Sequence, residues 1–91
     1  MSVKIEFPAY LKRFAGGKGF IKSPPGNLVD ILTNIKKIYP DFAKKIFMCD
    51  KKLKSYVVLF LDNVVIEKKE FQNTEAVDGQ IIKIVIAIAG G

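Results

Sequence analysis

The order of apolar segments predicts an α+β fold, a mixed sheet of four to five strands with one main helix packed on one face. Three observations carry this expectation. Val3-Lys4-Ile5-Glu6-Phe7 alternates strictly, apolar at odd positions, as a half-buried strand does. Ile81 to Ile88 is apolar except for Lys83 and rich in β-branched residues, which suits a strand buried at the centre of a sheet. Between these strands, Leu28, Ile31, Leu32, Ile35 and Ile38 follow the spacing of one amphipathic helix.

The remaining elements follow in chain order. Pro8 closes the first strand. Leu11 to Gly19 contains Gly16, Gly17 and Gly19 and reads as a hairpin loop. Its glycines match neither phosphate-binding pattern. Phe20-Ile21-Lys22 returns as a second strand, and Ser23-Pro24-Pro25-Gly26 breaks the pattern before the helix. Asn27 is the expected N-cap, Asp30 places a carboxylate in the first turn, and Lys36 and Lys37 lie in the last turns. Pro40 ends this helix. Asp41 is read as the cap of a shorter helical turn through Phe42, Ile46 and Phe47. Met48 to Lys54 reads as a basic loop holding Lys51, Lys52 and Lys54. Tyr56 to Leu61 is a central strand, Asp62-Asn63 a two-residue hairpin turn, and Val64-Val65-Ile66 its return strand. Lys68 to Val77 is polar and irregular, with Phe71 and Val77 as expected core anchors. Asp78-Gly79 turns the chain into the last strand.

Two terminal strands side by side at the sheet centre, with one helix across them, make a ubiquitin-like β-grasp. The expected domain is single, residues 1-91, with a flexible tail at 88-91. Val3, Ile5 and Phe7 should face the helix. Ile82, Ile84 and Ile86 should share that face, with Lys83 pointing away. If Val57, Leu59 and Leu61 face the helix as well, alternation throws Tyr56, Val58 and Phe60 onto the opposite side. Val85 and Ala87 join them there, beside Lys83. One helix leaves that side uncovered, so these six residues form a candidate partner-docking face.

Composition removes several kinds of chemistry. The chain has no histidine, the commonest general base and metal ligand. Its one cysteine, Cys49, makes neither an internal disulfide nor a multi-thiolate zinc site, and reads as a half-buried spectator in a reducing compartment. The N-terminus lacks an apolar signal core and no segment approaches membrane-spanning length, which predicts a cytoplasmic protein without a membrane partner. The net charge of +6 invites a nucleic-acid hypothesis, but fourteen scattered lysines and the single Arg13 fit solvated faces better than base readout. No nucleic-acid partner is expected.

The last strand leads into Ala89-Gly90-Gly91. Two closing glycines arise by chance about one time in 200 at average usage. Glycines without Cβ atoms suit a thin arm that carries an α-carboxylate into a narrow site. Phe7-x-Ala9-x-Leu11-Lys12 with Gly16 downstream, Phe60-Leu61-Asp62-Asn63, and Asp78-Gly79-Gln80 before the Ala-Gly-Gly ending together carry a resemblance. Over nearly its whole length the chain resembles the MoaD/ThiS group of ubiquitin-like sulfur carrier proteins. It departs from that pattern at Arg13, where MoaD proteins often carry Glu, and in its basic charge.

The resemblance implies a protein-sized cosubstrate that is no catalyst on its own. An E1-like enzyme of the MoeB/ThiF type would adenylate Gly91 with ATP. A sulfur donor would then replace AMP and leave a thiocarboxylate. The carrier binds no cofactor itself, and ATP belongs to the activating enzyme. In a molybdopterin synthase it would be the small subunit, with Ala89 and Gly90 entering the large subunit's site. A carrier delivering sulfur to a cysteine synthase is the alternative within the family. Thiamine synthesis, for which the dedicated carriers are usually shorter, ranks lower. A ubiquitin-like modifier that forms isopeptides through Gly91 is a further reading.

Overall fold

A computed structural model describes residues 1–49 and 52–87, with the Cys49 side chain outside that description. The expectations placed on the Cys49 thiol, on Lys51 and on the segment 88-91, including Ala89, Gly90 and Gly91, therefore fall outside the described residues.

Strand β1 spans Val3–Glu6. Pro8, in an extended conformation, then leads into a 3-10 helix at Ala9–Ala15, which stops at Gly16 with φ 65°. Strand β2 follows at Phe20–Ser23, and a short β3 at Gly26–Asn27 precedes helix α1, Leu28–Ile38. Helix α2 is Pro40–Ile46, and β4, Phe47–Cys49, pairs with β5, Lys52–Leu53. Strands β6, Val57–Leu61, and β7, Val64–Ile66, form the second hairpin. A 3-10 helix at Lys68–Asn73 and β8, Glu75–Ala76, lead to β9, Ile81–Ile86.

The five-stranded sheet has the order β2-β1-β9-β6-β7, with β9 at the centre. β9 runs parallel to β1 and antiparallel to β6. This is the mixed sheet and central terminal pair that the sequence predicts. Both helices pack on one face. Leu28, Ile31, Leu32 and Ile35 of α1, and Phe42 and Ile46 of α2, join Val3, Ile5, Val57, Leu59, Ile82 and Ile84 in one buried cluster. Phe7 and Ile86 pack against its edge, and the Phe7 ring meets Phe42 edge-on at 4.9 Å.

The local chemistry explains the element ends. Asn27 Oδ1 accepts the Val29 N–H at 2.8 Å, capping α1 as expected. Tyr39 precedes Pro40, which disfavours helical geometry there, and its φ of −128° ends α1. Asp62 and Asn63 both have positive φ, 47° and 68°, as a tight type I′ hairpin turn requires.

Four expectations are corrected. The stretch read as a hairpin loop from Leu11 to Gly19 begins inside a 3-10 helix, because Leu11 and Ala15 are drawn fully into the core. Asp41 caps nothing: Pro40 takes the first position of α2, and the Asp41 carboxylate lies 3.8 Å from the Lys44 ammonium within the helix. The basic loop after Met48 contains the β4–β5 pair, with Leu53 buried. Val77 is 59% exposed, whereas Ala76 is buried. The two-residue β8 points Ala76 inward, so alternation turns Val77 out, where its N–H donates to Gln80 Oε1 at 2.8 Å.

Ile31→Ala and Ile84→Ala should each lower stability by roughly 2–5 kcal/mol, as large-to-small changes in a close-packed core do. Asn27→Ala should cost about 1 kcal/mol through the lost cap. Urea unfolding of the three variants checks both expectations.

Candidate functional site

Alternation divides β6 and β9 cleanly. Val57, Leu59, Ile82 and Ile84 are buried beneath the helices, which places Val58, Phe60, Lys83 and Val85 on the open face. The register brings the predicted residues together. Lys83 lies opposite Phe60 across the β6–β9 ladder, and Val58 lies opposite Val85. Phe60, Val58 and Val85 are half-buried, while Lys83 is exposed. The face is therefore mixed in character rather than a broad apolar sheet.

The same register extends the row to every strand. Glu6 lies opposite Lys83 on one side and Phe20 on the other, and Val65 lies opposite Phe60. The row Phe20, Glu6, Lys83, Phe60 and Val65 thus crosses the whole open face. Glu6, Phe20 and Val65 are absent from the residues picked out in the sequence, although the alternation of β1 and β2 was a usable signal for the first two. The Glu6 carboxylate lies 3.5 Å from the Lys4 ammonium, which in turn sits 4.6 Å from the Phe20 ring centroid. A shallow depression of about 380 Å³ lies between these side chains and Lys83, Val85 and Phe7.

Tyr56 and Ala87 flank one end of the β6–β9 ladder. The Ala87 N–H donates to the Tyr56 carbonyl at 2.7 Å, just beyond the last residue of β9. Tyr56 itself follows a loop held by Lys68, whose ammonium donates to the carbonyls of Lys54 and Ser55 at 3.0 and 2.8 Å. Nothing in the sequence marks Lys68 for this task, since a lysine in a polar stretch is ordinarily a solvated one. Asp62 plays a matching part at the other end of β9. Its Oδ1 accepts the Ile81 N–H at 2.9 Å, and its own N–H donates to the Ile81 carbonyl at 2.9 Å. Both ends of the central strand are tied to the β6–β7 hairpin or to the loop that precedes it.

Among the described residues, no three His, Cys, Asp or Glu side chains gather as a metal site. No helix among them is long and apolar enough to cross a membrane. Among the described residues, the arrangement offers an open sheet face and a tethered strand end.

No protein-family model and no curated protein sequence matches the chain. Solved structures do. A chain of the Amycolatopsis orientalis BexX/CysO complex is 18% identical, with a TM-score of 0.83 over 98% of this chain and 99% of that one. The small archaeal modifier protein 1 of Methanosarcina acetivorans is 21% identical, with a TM-score of 0.77 over 99% of this chain and 96% of its own. A chain in the complex of subunits 1 and 2 of the Helicobacter pylori molybdopterin-converting factor is 19% identical, with a TM-score of 0.61 over the full length of both. The chain has the ubiquitin-like β-grasp fold that these structures share.

Proposed function

We propose that the chain is a ubiquitin-like sulfur carrier of the MoaD/ThiS kind, with Gly91 as its reacting residue. The observation that carries this reading is the overlay on one chain of the BexX/CysO complex across 98% of this chain, with Ala89-Gly90-Gly91 following β9 in sequence. A carboxylate resists nucleophiles at neutral pH until its oxygen is made a leaving group. In the proposed sequence, an oxygen of the Gly91 carboxylate attacks the α-phosphorus of ATP in an E1-like enzyme, and pyrophosphate departs. A sulfur nucleophile then attacks the acyl carbon and expels AMP, leading to the thiocarboxylate. The chain contributes the acyl group, a slender arm and a docking face. The activating enzyme contributes ATP and the catalytic groups.

Tyr56, Val58, Phe60, Lys83, Val85 and Ala87 form the proposed docking face. Phe60 and Tyr56 supply the aromatic anchors that interface cores favour, and Lys83 supplies orientation. Ala87 ties the face to the arm, so a partner seated on the sheet also sets where Ala89 and Gly90 enter it.

The likeness to a chain from the two-subunit molybdopterin-converting factor supports molybdopterin synthesis as the recipient, with this chain as the small subunit. The likeness to a chain of the BexX/CysO complex supports a second reading, delivery to a cysteine synthase. In that reading the thiocarboxylate sulfur adds to an aminoacrylate held by a pyridoxal-phosphate enzyme.

Incubation with a cognate E1-like enzyme, ATP and a sulfur donor should raise the intact mass by the difference between one sulfur and one oxygen. Removal of Gly91 should abolish this change. Conversion that survives the removal refutes the assignment, and isopeptide-linked conjugates would mark a modifier instead. The loaded protein should lose its sulfur to a large molybdopterin synthase subunit if molybdopterin synthesis is the recipient, whereas with a cysteine synthase it should instead gain the mass of a cysteinyl adduct at Gly91, which a peptidase then releases. Phe60→Asp should abolish binding to the activating enzyme while keeping a native circular dichroism spectrum. Loss of the fold in that variant would place Phe60 among the structural residues and remove the docking face.

A further inference from the structure

A second surface lies away from the open face of the sheet. The first 3-10 helix, the Gly17 turn and α2 enclose a cleft of about 650 Å³, walled by Tyr10, Lys12, Arg13, Phe14, Gly17 and Lys45. Its walls share no residue with the depression beside Lys83. No carboxylate lines it. Among the described residues, no ion pair joins Lys12, Arg13 or Lys45 to an acidic partner, and the neighbouring Lys44 takes Asp41.

The cations of this cleft are positioned by an aromatic ring. The Arg13 guanidinium carbon lies 4.8 Å from the Phe14 centroid, and the Lys45 ammonium lies 4.9 Å from the same centroid. Each contact favours the cation modestly, and together they hold two positive groups near one point. Side chains three apart eclipse along a 3-10 helix, so Tyr10 stands on the same ridge as Arg13. Tyr10 is 58% exposed, so its ring is open to a ligand. The wall therefore presents a hydroxyl-bearing ring and a guanidinium fork side by side, flanked by two lysines.

We propose that this cleft binds an acidic segment of a partner protein, with carboxylates on Lys12, Arg13 and Lys45 and an apolar group against Tyr10. Arg forks pair with carboxylates through two parallel hydrogen bonds, and Tyr with Arg is the composition enriched at protein interfaces. Cations already held against a ring lose less freedom on binding than free side chains. Single-stranded nucleic acid fits less well. It calls for successive open aromatic platforms, and here Phe14 is engaged by its own cations, leaving Tyr10 alone. The site requires nothing of Gly91, so it stands or falls independently of sulfur transfer.

Titration of the isotope-labelled protein with a short glutamate-rich peptide, followed by amide NMR, tests this. Saturable shifts should be confined to residues 9–17 and 44–46, and binding should weaken with salt because the cleft is open to solvent. Arg13→Gln with Lys45→Gln should weaken binding at least about tenfold, as loss of a central charged anchor does. Lys37→Gln with Lys52→Gln removes the same charge elsewhere and should leave it unchanged. Should the first pair disturb folding, Lys12→Gln and Lys45→Gln singly give the same reading. Equal weakening by both pairs, shifts spread over the surface, or no saturable binding overturns the proposal. Tighter binding of a single-stranded oligonucleotide of equal charge at these residues would overturn it in favour of nucleic acid.

Discussion

The fold depends on β9 being paired along both edges, with β1 parallel on one side and β6 antiparallel on the other. Every other strand of the main sheet is placed through it. Its register is set by the Asp62 and Tyr56 bonds at its two ends and by the placing of its one charged residue. A slip of one position would turn Ile82 and Ile84 onto the open face and push Lys83 under the helices, exchanging buried apolar area for a buried ammonium. Lys83 is therefore a register lock as well as a member of the open face. One lysine in an otherwise apolar strand does both because the strand's two sides meet such different surroundings.

The two faces of the sheet divide the protein's tasks. One face carries both helices and the buried cluster that supplies stability. The other face carries the cross-strand row through Lys83 and Phe60. Positive charge is also unevenly assigned. Lys4 is satisfied by Glu6 and Lys44 by Asp41, whereas Arg13 and Lys45 rest on an aromatic ring. A net charge of +6 thus conceals surfaces of different character, which a count of lysines cannot separate.

Much of the architecture was legible because it rests on short-range rules. The Asn27 cap, the positive-φ pair Asp62-Asn63 and the alternation of β1 and β9 each follow from a few neighbouring residues. Readings failed where tertiary packing outvoted local composition. The glycines after Ala15 suggested a loop, yet Leu11 and Ala15 find the core and draw the chain before them into a 3-10 turn. Val77 looked like an anchor by composition, but a two-residue strand gave the inward place to Ala76. Of the candidate site, β-alternation foretold which side Phe60 and Lys83 would take. It also allowed Glu6 and Phe20 that side, but it could not show that they stand level with Lys83, because cross-strand register is set by the whole chain. The cleft around Phe14 was hidden for the same reason, since Arg13 and Lys45 come from different helices.

The Lys68 ammonium bridges two carbonyls of the loop just before Tyr56, and Tyr56 in turn holds the Ala87 amide. This chain of bonds ties the end of β9 to the 3-10 helix at Lys68–Asn73. The same loop is also held by the Lys54 N–H, which donates to the Ile46 carbonyl at 2.9 Å, so the position of the Ala87 amide depends on the end of α2 as well as on Lys68.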